Sequence, residues 1–158
     1  MTNLVYGFLE IDNQGNKVDY ISLVQKKIKI GISEIRPFQL SNFPDNLFYE
    51  YNKNCISFCL GDKPGKNRAS YLLDFIDYAK NADIGMPYKA IDRVEILIES
   101  IFSIITSLNL VRIVIALTDS CEIEELKKVK LENLKKEIIS DFETLKDVPG
   151  KIYDVQIK

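Results

Sequence analysis

The sequence contains no histidine and no tryptophan in 158 residues. Without histidine the chain cannot form a Ser-His-Asp or Cys-His hydrolase, an imidazole-ligated zinc site or an imidazole general base. No other complete catalytic motif is present, and a single motif fragment carries little information. We therefore predict a protein without catalytic residues, bound metal or cofactor.

Cysteine is also scarce, and the three residues present make an odd number. Cys55 and Cys59 are four residues apart on a predicted strand, which places them too far apart for easy pairing. Cys121 is predicted in the first turn of a helix, where the helix dipole favours a thiolate but the neighbouring acids oppose it. Residues 1–11 lack the basic start and apolar run of a secretory signal, so we expect a reduced, cytoplasmic setting.

Long apolar runs are missing, and no stretch has the roughly 20 apolar residues that a membrane-spanning helix needs. Apolar residues make up 46% and charged residues 28% of the chain, which is ordinary for a globular protein. A chain of this length usually forms one domain that buries roughly 70% of its unfolded surface without a disulfide or metal. We predict a single soluble domain over residues 1–158.

The run Leu110–Leu117 is the centre of the predicted fold, because Arg112 is its one residue that is not apolar. Such a run, with β-branched residues on both faces, predicts a strand that is covered on both sides. Before it, apolar residues at spacings of three and four predict an amphipathic helix over Ala90–Leu108.

The last third of the chain predicts a helix between two strands. Asp119 and Glu122 fit a capping box, and the helix that starts near Ser120 is expected to end at Val148–Gly150. Ile152–Ile157 then predicts a final strand. This strand–helix–strand order is typical of a parallel crossover.

The first half predicts a strand at Leu4–Ile11, a turn at 13–16 and a helical stripe from Val18 to Ile35. A strand is the rival interpretation for that stripe, because Ile28, Ile30 and Ile32 alternate with other residues, and the length of the stripe favours the helix. A hairpin of Leu47–Tyr51 with Cys55–Leu60 and a helix over Ala69–Lys80 follow. The resulting order β-α-β-β-α-α-β-α-β predicts an α+β domain with a mixed sheet of about five strands and helices packed on it.

Charge is spread unevenly around a net value of −2. Residues 83–125 carry eight acidic and three basic side chains, a local net charge of −5. This acidic zone suits a cationic partner, whereas the pI near 5.3 argues against a dedicated nucleic-acid binder. The candidate partner-binding residues are the carboxylates of the predicted helices: Asp92, Glu95, Glu99, Asp119, Glu122 and Glu125.

A second candidate is the loop Gly61–Asn67, which lies between a predicted strand and a predicted helix. It resembles a phosphate-binding P-loop loosely, but its glycines are one residue too close and Asn67 stands where Ser or Thr should hold magnesium. A polar surface loop that uses Gly and Pro for turning is the favoured interpretation, because an isolated motif fragment is weak evidence. The alternative function is a small-molecule or nucleotide-binding protein with Lys63, Lys66 and Asp119 near the carboxyl ends of the strands.

In size, acidic charge and lack of catalytic residues, the chain resembles the immunity proteins that bacteria produce with contact-dependent or other polymorphic toxins. No signature motif accompanies the resemblance, so no residue role follows from it. The resemblance implies a non-catalytic protein that binds and neutralises a cognate toxin domain, commonly a nuclease, with no direct contact to nucleic acid or membrane. The acidic zone would complement a basic toxin surface and speed association.

Overall fold

The computed structural model of the chain describes residues 3–12 and 18–158, and the turn expected at 13–16 lies outside this part. The described residues form six strands, five α-helices and two short 3-10 turns. The strands are β1 (Asn3–Ile11), β2 (Gly31–Glu34), β3 (Cys55–Gly61), β4 (Leu110–Asp119), β5 (Glu125–Lys130) and β6 (Lys151–Gln156). The helices are α1 (Tyr20–Gln25), α2 (Asp45–Glu50), α3 (Ser70–Leu73), α4 (Ala90–Ser107) and α5 (Leu134–Leu145).

All six strands form one mixed sheet in the order β2-β3-β1-β4-β6-β5. Neighbouring strands are antiparallel except for β5 and β6, which are parallel. The predicted central strand is confirmed, because β4 lies between β1 and β6 and is buried on both faces. The α+β class and the mixed sheet are therefore as predicted, with one strand more than expected.

The first face of the sheet is covered by α1, α3, α4 and α5. The predicted amphipathic helix is confirmed as α4, whose buried residues include Val94, Leu97, Ile98, Ile101 and Ile104. These side chains join the odd-numbered residues of β4 in the larger core cluster. Complete removal of this apolar surface from water is the main source of stability, at about 25 cal/mol per Å².

The second face carries a smaller core under the segment between β2 and β3. Leu40, Phe43 and Leu47 of this segment are buried against Tyr6, Phe8 and the even-numbered residues of β4. The cover does not extend to the outer part of β6 and β5, where Gln156, Lys128 and Lys130 are exposed. One end of the second face is therefore open.

Two elements of the first half differ from the prediction. The stripe from Val18 to Ile35 is helical only over α1. Its end forms the edge strand β2. The rival interpretation, based on the alternation of Ile30 and Ile32, is therefore correct for this end. The expected strand Leu47–Tyr51 is instead part of α2, so the predicted hairpin is wrong. Pro44 at the N-cap and Asp45 in the first turn start this short helix.

The helix expected over Ala69–Lys80 is limited to the single turn α3. Beyond it the chain is irregular up to α4, because the carbonyl groups of Asp74 and Ile76 accept hydrogen bonds from the buried guanidinium of Arg93 instead of from a helix. A tertiary contact therefore overrides the local apolar pattern here.

The long helix expected from about Ser120 is also wrong. Asp119 ends β4, Glu125–Lys130 forms edge strand β5, and the helix begins only at Leu134. As a result β4 and β6 are antiparallel, and the parallel crossover joins β5 to β6 through α5. Because Asp119 and Glu122 do not begin a helix, the predicted capping box is absent.

Candidate functional site

Four acidic side chains meet where β4 ends and β6 begins. They line a small pocket of about 270 Å³ together with the stretch that follows α5. We call Asp119, Glu122, Glu124 and Asp147 the acidic corner. No basic side chain lines this pocket, and none of its four carboxylates forms an ion pair with another residue of the described ranges 3–12 and 18–158.

A tight turn after β4 positions the first two acids. Ser120 and Cys121 have positive φ angles of 54° and 62°, and the N–H of Glu122 donates a 3.1 Å hydrogen bond to the carbonyl of Asp119. This is the geometry of a type I′ turn, which usually carries Asn-Gly. Left-handed backbone at two residues with side chains costs about 1–2 kcal/mol each, so the rest of the corner must hold the turn in place.

Two hydrogen bonds from outside the turn hold it. The side-chain amide of Asn42 donates to the carbonyl of Cys121 at 2.8 Å, and the N–H of Glu124 donates to the carbonyl of Gly150 at 2.7 Å. The second bond draws the chain across the start of β6 on its way to β5. Glu124 thereby lines the same pocket as Asp147, which lies 23 positions later in the sequence. A fixed backbone lowers the entropy cost of binding a partner.

Asn42 also anchors a buried phenol beneath the turn. Its amide donates to the hydroxyl of Tyr6 at 2.5 Å, and Tyr6 itself is buried. Burial raises the pKa of Tyr6 to about 12, although the hydrogen bond from Asn42 acts in the opposite direction. Tyr6 therefore stays neutral, and it packs at 5.4 Å from the ring of Phe43 as part of the support for the corner.

The six carboxylates predicted to bind a partner fall into two groups. Asp119 and Glu122 belong to the acidic corner, and Glu125 lies beside it at the start of β5, where Lys151 approaches its carboxylate at 3.0 Å. Asp92, Glu95 and Glu99 lie on α4 and do not line the corner pocket.

The three carboxylates on α4 are less well suited to form a binding surface. Glu95 lies 3.7 Å from the ammonium group of Lys135, while Asp92 and Glu99 are exposed. The role predicted for these three carboxylates stays a prediction.

Sequence reasoning interpreted Glu124 as one of the acids beside Cys121 at the start of the predicted helix, and it overlooked Asp147. Both were assigned to a long helix, which would have spread them along its length. The signal that could have revealed Asp147 is its position immediately before Val148-Pro149-Gly150, the predicted helix stop, since such a stop returns the chain to the sheet edge.

The loop Gly61–Asn67 joins β3 to α3, as the sequence predicts, and lies in a pocket of about 810 Å³ that also includes Lys63, Lys66 and Arg68. The first turn of α3 is already occupied by an internal anion. The N–H groups of Tyr71 and Leu72 both donate to Asp62 at 3.1 Å. A phosphate placed there would meet this carboxylate, so the loop is a poor phosphate cradle.

The open end of the second face forms a broader groove of about 840 Å³. Its floor is Arg112, whose guanidinium donates to both carboxylate oxygens of Asp154 at 2.7 and 2.8 Å and also pairs with Glu50. The hydrogen bonds from Arg112 to Asp154 raise the pKa of the guanidinium further, against the effect of burial. Arg112 is therefore paired with two carboxylates. The groove is also lined by Lys128, Lys130 and Glu132, which are exposed and form no ion pair within the described residues.

Comparison with protein-family models, curated proteins and solved structures finds no match to this chain. In the described part of the chain, no helix has the length and apolar character to cross a membrane. Within residues 3–12 and 18–158, no three Cys, Asp or Glu side chains are grouped as metal ligands. The class of protein that the fold defines is a single α+β domain.

Proposed function

We propose that this protein is a non-catalytic binding module of the toxin-neutralising kind, which holds a basic protein domain against its acidic corner. The observation that carries the proposal is one pocket lined by four carboxylates, two of which lie on a fixed turn. The four come from two distant parts of the chain, and none has an ion-pair partner among residues 3–12 and 18–158.

The chemistry of the corner fits a cationic protein surface. Four like charges in one pocket create a negative potential that attracts a positively charged surface and speeds encounter. A domain that acts on nucleic acid has such a surface, because it must neutralise phosphates. A nuclease toxin is therefore the partner class that the proposal names, and occlusion of its basic surface is the proposed mode of neutralisation.

The complete lack of histidine supports a binding role over an imidazole-dependent reaction. One exposed apolar residue in the corner supplies an uncharged part of an interface. Leu145 lines the corner pocket with 45% of its surface exposed. A charged rim around an apolar contact is the usual anatomy of a protein–protein interface.

The experiment begins with capture of a partner by the tagged full chain from lysate of its source strain, at low and high salt. Association with the purified partner is then measured for the wild type and for Glu122→Lys combined with Glu124→Lys. We expect the association rate to fall by about tenfold or more at low salt, because steering depends on the charge of the corner.

The matched control is Asp92→Lys combined with Glu99→Lys, which makes the same charge change on α4. We expect this control to associate within about twofold of the wild type at the same salt. Equal rates for the corner variant and the wild type would contradict the proposal. Loss of association in the control variant alone would mean that the partner contacts α4 instead of the acidic corner.

A further inference from the structure

The free edge of β5 differs from the other edge of the sheet. At the far edge, the side chain of Gln25 pairs with β2: its amide donates to the carbonyl of Ile30 at 2.8 Å, and its oxygen accepts from the N–H of Ile32 at 2.9 Å. The loop carbonyls of Lys63 and Lys66 also lie against Gly31. The side chain of Gln25 therefore occupies the first part of that edge, at Ile30 and Ile32.

The edge at β5 has no such cover within the described ranges. β5 pairs only with β6, and no side chain of residues 3–12 or 18–158 hydrogen bonds to its backbone. A groove of about 360 Å³ follows the strand, and every residue of Glu125–Lys130 lines it together with Asn133 and Glu137. An unpaired strand edge of this kind is a template for a further strand.

The side chains of β5 define which strand would fit. Lys127 points toward α5, where it is held by Glu137 at 3.1 Å and Asp141 at 3.0 Å. Lys128 and Lys130 point to the open second face, are exposed and have no ion-pair partner in the described chain. Residues directly opposite on paired strands lie close together, and opposite charges there are favourable.

We propose that β5 is a docking edge for an extended segment of the partner, which adds a seventh strand to the sheet and carries acidic side chains opposite Lys128 and Lys130. The inference concerns how the partner is held, and so it rests on the proposed function. The edge begins at Glu125, next to the acidic corner, so the two surfaces are continuous. The partner would then present basic residues to the corner and an acidic strand to the lysines.

The competing interpretation is that the lysines protect a bare edge against unwanted pairing, as charged residues often do. The two interpretations differ in one respect that can be measured. A protective edge binds no strand, whereas a docking edge prefers an acidic strand over a basic one.

The probe is a capped synthetic peptide, Thr-Glu-Val-Glu-Val-Glu-Thr, added to the full chain. Its controls are the same peptide with Lys in place of Glu, and the Glu peptide with alternate backbone nitrogens methylated. Amide chemical shifts and hydrogen exchange are followed by NMR. We expect saturable shifts and slower exchange within Glu125–Lys130, with binding of both control peptides weaker by about tenfold or more.

Replacement of both lysines, Lys128→Glu with Lys130→Glu, should reverse the preference toward the Lys peptide. The amides of Gly31–Glu34 at the far edge serve as the internal control and should not respond. Absence of binding, equal binding of the two peptides, or a response outside β5 would overturn the proposal. Slower exchange in β5 that depends on protein concentration without peptide would instead assign the edge to a second copy.

The peptide test needs no natural partner, so its result is independent of the acidic-corner experiment. A negative peptide result with a normal corner result overturns the docking edge alone. A positive peptide result with a negative corner result overturns the proposed contact at the corner and leaves the strand-docking property of β5 standing.

Discussion

The hydroxyl of Tyr153 donates a 2.7 Å hydrogen bond to the carboxylate of Asp141, and both residues are buried between β6 and α5. The same carboxylate accepts from Lys127 at 3.0 Å and from Lys151 at 3.1 Å. Three donors on two strands thus converge on one acid of α5. This network fixes the parallel β5–α5–β6 unit, whose strand order also places Glu125 beside the acidic corner.

The pH dependence of stability should report this network. Burial acts to raise the pKa of Asp141, but the hydrogen bonds from Tyr153, Lys127 and Lys151 outweigh it and lower the pKa below its ordinary value of 3.8. A carboxylate with a lowered folded-state pKa stabilises the fold fully above its unfolded pKa. That stabilisation is lost as the pH falls through the folded-state value.

We expect Asp141→Asn to cost about 3 kcal/mol at pH 7, because removal of the buried carboxylate leaves Lys127 and Lys151 with only the more exposed Glu137 and Glu125 as partners. Urea unfolding of both proteins between pH 7 and pH 2.5 measures this difference, which should shrink below about pH 4. Tyr153→Phe is the milder control and should cost about 1 kcal/mol. A difference that stays constant over this pH range would contradict the assignment.

Arg93 holds the irregular segment between α3 and α4. Its side chain has no exposed surface, and its guanidinium donates to four backbone carbonyls, those of Asp74, Ile76, Pro87 and Tyr88. The guanidinium carbon also lies 5.0 Å from the ring centre of Tyr78. One side chain therefore replaces the hydrogen bonds that a longer α3 would have made.

Arg93→Met should destabilise the protein by about 3 kcal/mol or more, because four carbonyls lose the buried charged donor that they share. Limited proteolysis should then cut first within 74–90, before global unfolding. Lys135→Met breaks only the exposed pair with Glu95 and should change stability by less than about 0.5 kcal/mol. Equal effects of the two substitutions would mean that Arg93 does not organise the segment.

The turn at Ser120 and Cys121 should become more stable with residues that accept left-handed backbone. Ser120→Asn combined with Cys121→Gly introduces the preferred type I′ sequence. We expect a gain of about 1 kcal/mol, since relief of strain exceeds the entropy cost of the added glycine. Thermal unfolding measures the gain, with Ser103→Asn at a half-buried position of α4 as the control that should bring none.

Strands and helices with strong apolar periodicity could be predicted from the sequence. β4 and α4 were correct because their burial follows from local spacing alone. β5 could not be predicted, because Leu126 continues the helical spacing of α5 and the lysines suggest an exposed helix face. Its strand conformation depends on pairing with β6, and the inward position of Lys127 depends on Asp141, 14 residues later.

The sequence predicts that acids are concentrated in this region, but it does not predict which of them line the acidic corner. The excess of acids in 83–125 is visible in the sequence, but Asp147 joins the corner through the hydrogen bond between Glu124 and Gly150. Nothing in the sequence distinguishes Arg93 from an exposed charge, although it is the largest fully buried side chain of the described residues. In both cases the decisive partner is distant along the chain.

The alternative function, nucleotide binding at Gly61–Asn67, can be tested directly against the role of Asp62. Burial raises the pKa of Asp62, opposed by the N–H groups of Leu72 and Tyr71, and those N–H groups are the ones that a phosphate would need. We therefore expect millimolar ATP or inorganic phosphate to leave the melting temperature of the wild type unchanged. A ligand present at 100 times its dissociation constant would add about 2.7 kcal/mol of stability, which a melting curve resolves easily. Lys63→Ala combined with Lys66→Ala is the matched variant. A shift in the melting temperature of the wild type that disappears in this variant would support nucleotide binding at the loop. No shift in either protein would mean that the loop only connects β3 to α3 and that the carboxylate of Asp62 caps the helix.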